Sequence, residues 1–323
     1  MTSVRAVLTD AGLVAPHRPI ILPGVMGRWP PSGRLRDALR SCRDPQVDQW
    51  TEHKRHFKNL DWTRRCQGIA TDGSRWFVSS NFRRFPGVYR LDSSMNTIEK
   101  KVEIPRSVGG HVGALDVYDG RVYVALEEPA QITVYDLDLN RIELLRTRDR
   151  MGRAIEGPGN HFSWCAVDPW NDDLLYTADG FYEVSKLVAF HKATGSLVED
   201  ERGGNDGGTG QSTTIMLEQP PVKRNQGGCF SPNGKIYLSS DGRDGEHGIY
   251  CFQRPTGKLL GRIGFEIHQF PEPENEEAEG ITFCPMEVAG VRTHLHFVLL
   301  DKDVPSLDDV HFKSYQVVDP HSA

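Results

Sequence analysis

The chain of 323 residues lacks several features that would place a protein in a functional class at once. It has no run of about 18 apolar residues, so we expect no segment to span a membrane. Its net charge is −6 and no basic face is evident, which argues against nucleic acid as a partner. The opening residues, MTSVRAVLTDAGLVAPHRP, lack the continuous apolar stretch of a secretory signal peptide.

The six cysteines form no CxxC pair and show no regular spacing. Neither a disulfide framework nor a zinc-binding motif is therefore indicated. A reduced, cytoplasmic compartment is the expectation that fits this pattern. The sequence also lacks an HExxH motif, and we expect no nucleotide cofactor.

What the sequence does contain is turns and a repeat. Glycine (32) and proline (20) make up about a sixth of the chain, which favours many turns over long helices. Five segments share an apolar strand, a turn rich in Asp, Asn, Pro or Gly, and a second strand. They are CQGIATDGSRWFVSSN, VGALDVYDGRVYVALE, SWCAVDPWNDDLLYTAD, QGGCFSPNGKIYLSSD and AEGITFCPMEVAGVRTHLHFVLLD.

The repeats are spaced as the blades of a β-propeller. Aromatic residues at the centre of the second strand lie 46, 53, 61 and 60 residues apart, at Phe77, Tyr123, Tyr176, Tyr237 and Phe297. A third strand follows in each copy, and a fourth can be read after a turn in the first four. Repeats of roughly 45–60 residues with four strands are typical of propeller blades. The sequence thus predicts an all-β, five-bladed β-propeller.

The predicted blades cover residues 61–106, 107–150, 157–200, 222–266 and 276–319. Residues 1–60 do not follow the repeat, and we interpret them as an extended N-terminal arm that covers one face as a lid or supplies a closing strand. The central aromatic residues are interpreted as blade-to-blade packing. Four cysteines on or beside the first strands are interpreted as small core residues: Cys66, Cys165, Cys229 and Cys284.

Blade geometry predicts where polar side chains converge. The first strand of each blade lines the axis, and its start emerges on the same face as the end of the second strand. The starts of the first strands hold Gln67, Gly113, Ser163, Gln226 and Glu279. Two residues earlier stand Arg65, His111, His161, Arg224 and Glu277. The second strands end at Asn81, Glu127, Asp179, Asp241 and Asp301.

Each residue also has an ordinary structural interpretation. Asp and Asn beside glycine often close turns through their own side chains. Histidines in loops are often incidental hydrogen-bonding groups, and acidic runs such as PEPENEEAEG are usually solvated. Variation among polar types at equivalent blade positions nevertheless indicates a specific site, since a purely structural repeat favours one small or apolar residue in every blade.

Three kinds of chemistry fit this set, and the sequence leaves all three open. Glu279, Gln226, Asp241 and Gln67 are oxygen ligands suited to Ca²⁺ or Mg²⁺, whereas histidine ligands would favour a transition metal. Acid–base catalysis would use His111, His161 and Glu279, converging near the axis. Recognition of an anionic substrate would use Arg65 and Arg224, together with the remaining polar candidates Gln67, Ser163, Glu127 and Asp179.

Two of the segments resemble known propeller families. FSPNGKIYLSSDG resembles the blades of the gluconolactonase and senescence-marker family, and QGIATDGSRWFVSSN resembles a blade of the streptogramin lyase group. EAEGITF is similar to a stretch of the calcium-dependent apyrases, which are five-bladed. The lactonase-like resemblance implies a divalent metal bound at Gln226 and Asp241, with Glu279 as a further acidic ligand. Because that family has six blades, six blades is the alternative fold.

The sequence therefore predicts a hydrolase or lyase acting on a small, anionic metabolite at the axial end of a propeller. The alternative is a non-catalytic propeller that binds a protein or glycan partner. The sequence does not indicate the oligomeric state.

Overall fold

The computed structural model describes residues 6–10, 46–58, 60–82, 86–147, 162–198, 213–218, 221–232, 234–242, 246–264, 276–288, 291–301 and 308–318. Within these ranges the chain forms strands and turns and no helix. None of the described segments is accordingly a helix long and apolar enough to cross a membrane.

The strands assemble into five blades, as the sequence predicts. Two strands precede the repeat, β1 (Ala6–Asp10) and β2 (Gln46–Phe57). Blade one contains β3 (Cys66–Thr71), β4 (Trp76–Ser80), β5 (Gly87–Leu91) and β6 (Ile98–Glu103). Blade two contains β7 (Val112–Tyr118), β8 (Arg121–Glu127), β9 (Ala130–Asp136) and β10 (Arg141–Arg146). In both, strands that are consecutive in the chain are neighbours in an antiparallel sheet.

Blade three is shorter and carries extra pieces. Its strands are β11 (Ala166–Val167), β12 (Leu174–Ala178), β14 (Lys186–His191) and β15 (Leu197–Val198), with β16 (Ile215–Met216) also paired to β14. A two-stranded ribbon beside it joins β13 (Glu183–Val184) to β17 (Val222–Lys223).

Blades four and five complete the ring. Blade four contains β18 (Asn225–Phe230), β19 (Lys235–Ser240), β20 (Gly248–Gln253) and β21 (Lys258–Ile263). Blade five contains β22 (Glu276–Val288), β23 (Val291–Asp301) and β24 (Asp309–Val318), followed in the same sheet by β2 and β1.

The N-terminal strand β2 lies along the outer side of blade five. It runs antiparallel to β24 over nine residue pairs, from Gln49 opposite Val318 to Phe57 opposite Val310. The backbone donors and acceptors of β24 are thereby paired on both sides, so the last blade has no exposed edge at this strand. The first 60 residues thus contribute β2 to a blade, while residues 11–45 lie outside the described part of the chain.

Five apolar clusters fill the five blade-to-blade interfaces, one each. Between blades five and one, for example, the Trp76 ring packs edge-on against Phe312, with 5.0 Å between ring centroids. Tyr123 packs between blades two and three, and Tyr237 between blades four and five. Since every blade is covered on both faces, β4, β12 and β19 are buried along their whole length. The aromatic residues of the repeat are therefore packing residues, as expected.

The buried cysteines belong to the same packing. Cys66, Cys165 and Cys229 are free thiols enclosed in these interfaces, and Cys284 is partly buried. Burial, the largest cause, raises the pKa of each of these three enclosed thiols. A thiol with a raised pKa is a poor nucleophile, so the interpretation of these residues as core is confirmed.

The inner strands touch one another around the axis. A Cβ atom placed on Gly68 would lie 2.5 Å from the Cα of Ala114, and one on Gly280 would lie 2.5 Å from the Cα of Gly68. A Cβ atom on Gly227 would similarly lie 2.8 Å from the Cα of Gly280. Blades one, two, four and five therefore meet backbone to backbone at this level, and only glycine fits.

We expect Gly68→Ala and Gly280→Ala each to lower the free energy of unfolding by about 1–3 kcal/mol, because the added methyl group must displace backbone of the next blade. Chemical denaturation would measure the change. Gly264→Ala is the matched control, since a Cβ atom there has no neighbour within 4 Å. Equal stabilities for all three variants would show that the inner strands are not closely packed.

Candidate functional site

The structure confirms that the predicted polar positions are equivalent in three blades. The backbone amide of Asn81 donates to the carbonyl of Arg65 (2.9 Å), as Glu127 does to His111 (3.1 Å). In blade four Asp241 donates to the carbonyl of Arg224 (3.0 Å). We call the face where these pairs lie, at the start of each first strand and the end of each second strand, the axial face.

A β-bulge marks the start of the first strand in four blades. The register shifts at Gln67, over Gly113 and Ala114, at Gln226, and over Glu279 and Gly280. A bulge inserts an unpaired residue and re-aims its side chain. The repeat alignment therefore located the positions at which the inner strands turn their side chains towards the axial face.

One position in blade five differs from the alignment. Glu277, the counterpart of Arg65 and Arg224, pairs with Leu300, whereas Asp301 pairs with Glu276. Asp301 is thus one residue beyond the position held by Asp241 in blade four. Because side chains alternate along a strand, its carboxylate belongs to the opposite face of the sheet from the one expected.

Four side chains form a continuous polar chain across blades two, one and five, which we call the axial polar chain: Glu127, His111, Gln67 and Glu279. The Gln67 amide nitrogen donates to Glu279 Oε1 (3.1 Å) and to the Cys66 carbonyl (3.1 Å). With its nitrogen so placed, the amide oxygen accepts from His111 Nε2 (2.9 Å). The Glu127 Oε1 atom lies 3.8 Å from the same His111 nitrogen.

The burial of these side chains decreases from the ring centre outward. The side chain of His111 is 45% exposed and that of Glu127 is 18% exposed, whereas Glu279 is 1% exposed as a residue. Solvent therefore reaches the His111–Glu127 end, while Gln67 and Glu279 lie on the buried side. His111 is held in the tautomer with its proton on Nε2, because an amide oxygen can only accept.

Glu127 has an unusual proton affinity. Burial, the largest cause, and repulsion by the neighbouring Glu128 raise the pKa of its carboxyl group from 4.5 to about 7. A carboxyl group with this pKa exchanges protons readily at neutral pH, which is the property required of a general acid or base.

The second group on the axial face is an ion pair. Arg224 donates to Asp241 Oδ2 through Nη2 (2.8 Å) and Nε (3.2 Å), and its Nη2 lies 4.0 Å from Glu277 Oε1. Burial raises the pKa of Asp241 to about 6; Arg224 lowers it and Glu277 raises it further. The guanidinium is thus committed to two carboxylates of the protein, which leaves it less suited to hold an anionic substrate.

Arg65 differs from Arg224 although it occupies the equivalent position. Both have a left-handed backbone, with φ of 52° and 47°. The Arg65 side chain is exposed, and no described carboxylate forms an ion pair with its guanidinium. Asn81 ties Arg65 to the axial polar chain through Val112, the residue next to His111. The Val112 backbone amide donates to Asn81 Oδ1 (2.7 Å), and Asn81 Nδ2 donates to the Val112 carbonyl (2.8 Å). Sequence reasoning placed Asn81 among the converging polar residues, with turn closure as its ordinary structural interpretation, and did not predict this bridge.

The remaining substrate-binding candidates have structural partners. Ser163 is buried and donates to the carbonyl of Asn225 (2.8 Å). The Asp179 carboxylate accepts from the backbone of Ser185 (3.2 Å) and from its hydroxyl (3.1 Å), closing its own turn. His161 lies outside the described residues, so its predicted convergence with His111 and Glu279 stays a prediction.

The four predicted metal ligands do not form one cluster of acidic groups. Asp241 is paired with Arg224, and Gln67 turns its amide nitrogen, rather than its oxygen, towards Glu279. Gln226 is half-buried on its bulge. The assignment of a Ca²⁺ or Mg²⁺ site to these residues stays a prediction.

A different group of metal-ligating types lies in blade five. His56, Asp301 and His311 each place one ligand atom within 4.8 Å of the others. Sequence reasoning missed this group because His56 lies in the N-terminal segment, outside the repeat, and reaches blade five only through the pairing of β2 with β24.

Comparison with known proteins supports the propeller fold only. No protein-family model matches the chain, and no curated protein matches its sequence. Among solved structures, glutaminyl cyclase of Myxococcus xanthus aligns with a TM-score of 0.54 and 16% identity, over 83% of this chain and 97% of that one. Arabinanase Arb43A of Bacillus subtilis aligns with a TM-score of 0.44 and 13% identity, over 80% and 95% of the two chains. The likeness to lactonase-like propellers therefore remains one of blade motifs.

The raised pKa of Glu127 has a consequence for stability. Because the folded protein binds this proton more tightly than the unfolded chain, the stabilisation is complete below about pH 4.5 and is lost as the pH rises through about 7. Glu127→Gln removes the dependence. When the pH is raised from 5 to 8, we expect the free energy of unfolding of the variant to rise by about 2 kcal/mol relative to that of the natural chain.

Urea denaturation at the two pH values would measure this difference. Glu183→Gln, at an exposed position of β13, is the control and should show no such gain. A Glu127→Gln variant whose stability differs from the natural chain by the same amount at both pH values would contradict the raised pKa.

Proposed function

We propose that the protein is a hydrolase or lyase that uses Glu127 to transfer a proton on the axial face, and that its substrate is a small metabolite with an anionic group. The observation that carries the proposal is the axial polar chain, in which a carboxyl group of pKa about 7 stands at the accessible end of a hydrogen-bonded series.

The residues of this chain have separable roles. Glu127, as carboxylate, would take a proton from water or from a substrate carbon, and would then return it to the leaving oxygen. His111 donates its Nε2 proton to Gln67 and lies 3.8 Å from Glu127 Oε1, so its role would be to position Glu127 and the substrate. Gln67 and Glu279 do not contact the substrate in this scheme. They hold the His111 ring in place from the buried side.

Two features favour acid–base chemistry over the metal alternative at this position. Asp241, a predicted metal ligand, is neutralised by Arg224 through two hydrogen bonds. Glu127 has no cationic side chain other than His111 among its described ion-pair partners, and burial leaves a proton as its means of neutralisation.

Arg65 is the group we assign to the anionic part of the substrate. It is exposed, lies on the same face, and is linked to His111 through Asn81 and Val112. A guanidinium binds a carboxylate or phosphate through two parallel hydrogen bonds. Arg224, by contrast, would hold Asp241 and Glu277 in position at the rim of the site.

Turnover of a panel of lactones, carboxylate esters and phosphate monoesters would test the reaction class. For a substrate that is turned over, we expect Glu127→Gln to lower kcat by about 100-fold or more. The kcat/KM of the natural chain should rise with pH, reach half of its maximum near pH 7 and level off above about pH 8, as the carboxylate forms.

Glu183→Gln serves as the control here too and should be fully active. Full activity of Glu127→Gln, or an unchanged pH profile, would contradict the assignment of Glu127. A natural chain that turns over no member of the panel but binds a protein or glycan on the axial face would favour the non-catalytic alternative.

Arg65→Ala tests the assignment of the anionic group separately. We expect it to raise KM for anionic substrates by about 10-fold or more, with little change for neutral analogues, because the lost interaction is one of binding. Steady-state kinetics on a matched charged and neutral pair of substrates would measure the split. Equal losses on both members of the pair would show that Arg65 acts on the structure of the site instead.

A further inference from the structure

Blade five brings two histidines and a carboxylate together outside the axial polar chain. His56 on β2 and His311 on β24 are directly opposite each other in the register, and their rings stack with 4.1 Å between centroids and 27° between planes. The His311 Nε2 atom lies 3.5 Å from Asp301 Oδ2, at the end of β23. Three adjacent strands therefore each supply one residue, and we call these three residues the closing-strand cluster.

The neighbourhood of this cluster is rich in carboxylates. Asp301 lies opposite Glu276 on one side and opposite Asp309 on the other, which places three acidic residues in one row across β22, β23 and β24. Like charges directly opposite one another destabilise a sheet. Lys58 lies 3.7 Å from Asp309 Oδ2 and neutralises part of the row. A cation bound beside this row would reduce the repulsion among its carboxylates.

The two histidines, His56 and His311, carry imidazole side chains, which are common ligands for transition metals. His56 Nε2 lies 3.2 Å from Asp309 Oδ2, a carboxylate that is not one of the three residues of the closing-strand cluster. A neutral imidazole keeps the lone pair that a metal requires.

The geometry points to a divalent transition-metal site. We propose that His56, Asp301 and His311 bind one ion of the zinc class, and that this ion ties β2 to blade five. Two imidazoles and a carboxylate form a nitrogen–oxygen set that favours Zn²⁺ over Ca²⁺ or Mg²⁺. Ligands at about 2.1 Å from a tetrahedral ion lie about 3.4 Å from one another, and the 3.5 Å between His311 and Asp301 already matches this spacing. The remaining ligand atoms lie within 4.8 Å of one another, and the two stacked rings must rotate for their lone pairs to converge on one ion.

The position of the site gives the ion a structural role. His56 is contributed by the N-terminal strand, whereas Asp301 and His311 come from the C-terminal blade. An ion bound to all three adds a link between the two ends of the chain beside the β2–β24 hydrogen bonds. This site is independent of the proposed acid–base function, since it shares no residue with the axial polar chain.

Metal binding to chelator-treated protein would test the site. We expect one Zn²⁺ per chain by titration calorimetry, visible ligand-field bands with Co²⁺, and no comparable binding of Mg²⁺ or Ca²⁺. At 100 times the dissociation constant, Zn²⁺ should raise Tm by roughly 5 °C. Amide hydrogen exchange should slow in β2 and β24 on addition of Zn²⁺ and stay unchanged in β9.

Three variants make the test specific. His56→Ala and Asp301→Asn should each weaken Zn²⁺ binding by about 10-fold or more. His56 is the preferred site for substitution because it is partly exposed, while His311 is 7% exposed and its loss would also disturb packing. His191→Ala, at an exposed position of blade three, is the matched control and should bind like the natural chain.

Absence of Zn²⁺ binding by the natural chain would overturn the proposal. So would undiminished binding by His56→Ala and Asp301→Asn, since the ion would then be held elsewhere. Loss of binding in His56→Ala with a normal Tm in the metal-free state would confirm that the variant is folded and that the imidazole itself is a ligand.

Discussion

The pairing of β2 with β24 is the contact on which the rest of the structure depends. Five blade interfaces can exist around an axis only if the last blade is held against the first. Blade five takes three of its strands from the C-terminal part of the chain and the others from the N-terminal part. Without β2, β24 would present an open row of backbone donors and acceptors to solvent. Closure therefore completes a blade and removes an edge at the same time.

The axial polar chain is a direct product of this closure. Gln67 and Glu279 are 212 residues apart in sequence and come from the first and last blades. Both are buried, and a buried carboxyl group without a partner is costly. The hydrogen bond between them forms only when blades one and five are adjacent, which is also when Gly68 and Gly280 come into backbone contact. The backbone contact between the glycines and the hydrogen bond between Gln67 and Glu279 therefore both favour the closed ring.

Much of this arrangement was predictable from sequence because aligned copies of a repeat show which residues occupy equivalent positions in each blade. Once the second strands were aligned, Arg65, His111 and Arg224 fell at one position, and the backbone hydrogen bonds place them there. The errors come from features that an alignment does not contain. Asp301 is displaced by one position because blade five pairs Glu277 with Leu300. Arg224 forms ion pairs, whereas Arg65 forms none with a described carboxylate. This difference depends on which carboxylates the folded loops and bulges bring close to each guanidinium. His56 belongs to no repeat, so only the closed sheet shows where it lies.

Several carboxylates on the axial face and in blade five lie in partly buried positions, where a charged carboxylate needs a positive partner. Asp241 accepts two hydrogen bonds from the guanidinium of Arg224, which fixes the pair in place. Glu127 has a weakly placed histidine at 3.8 Å, so a proton is its effective partner near neutral pH. Asp301 and Asp309 face each other across two strands beside a pair of stacked imidazoles. A proton on one imidazole would be repelled by a proton on the other, whereas a single divalent ion satisfies both rings and a carboxylate together. The same electrostatic requirement thus explains the Arg224–Asp241 ion pair and underlies the roles proposed for Glu127 and for the closing-strand cluster, according to which neighbours the blades bring within reach.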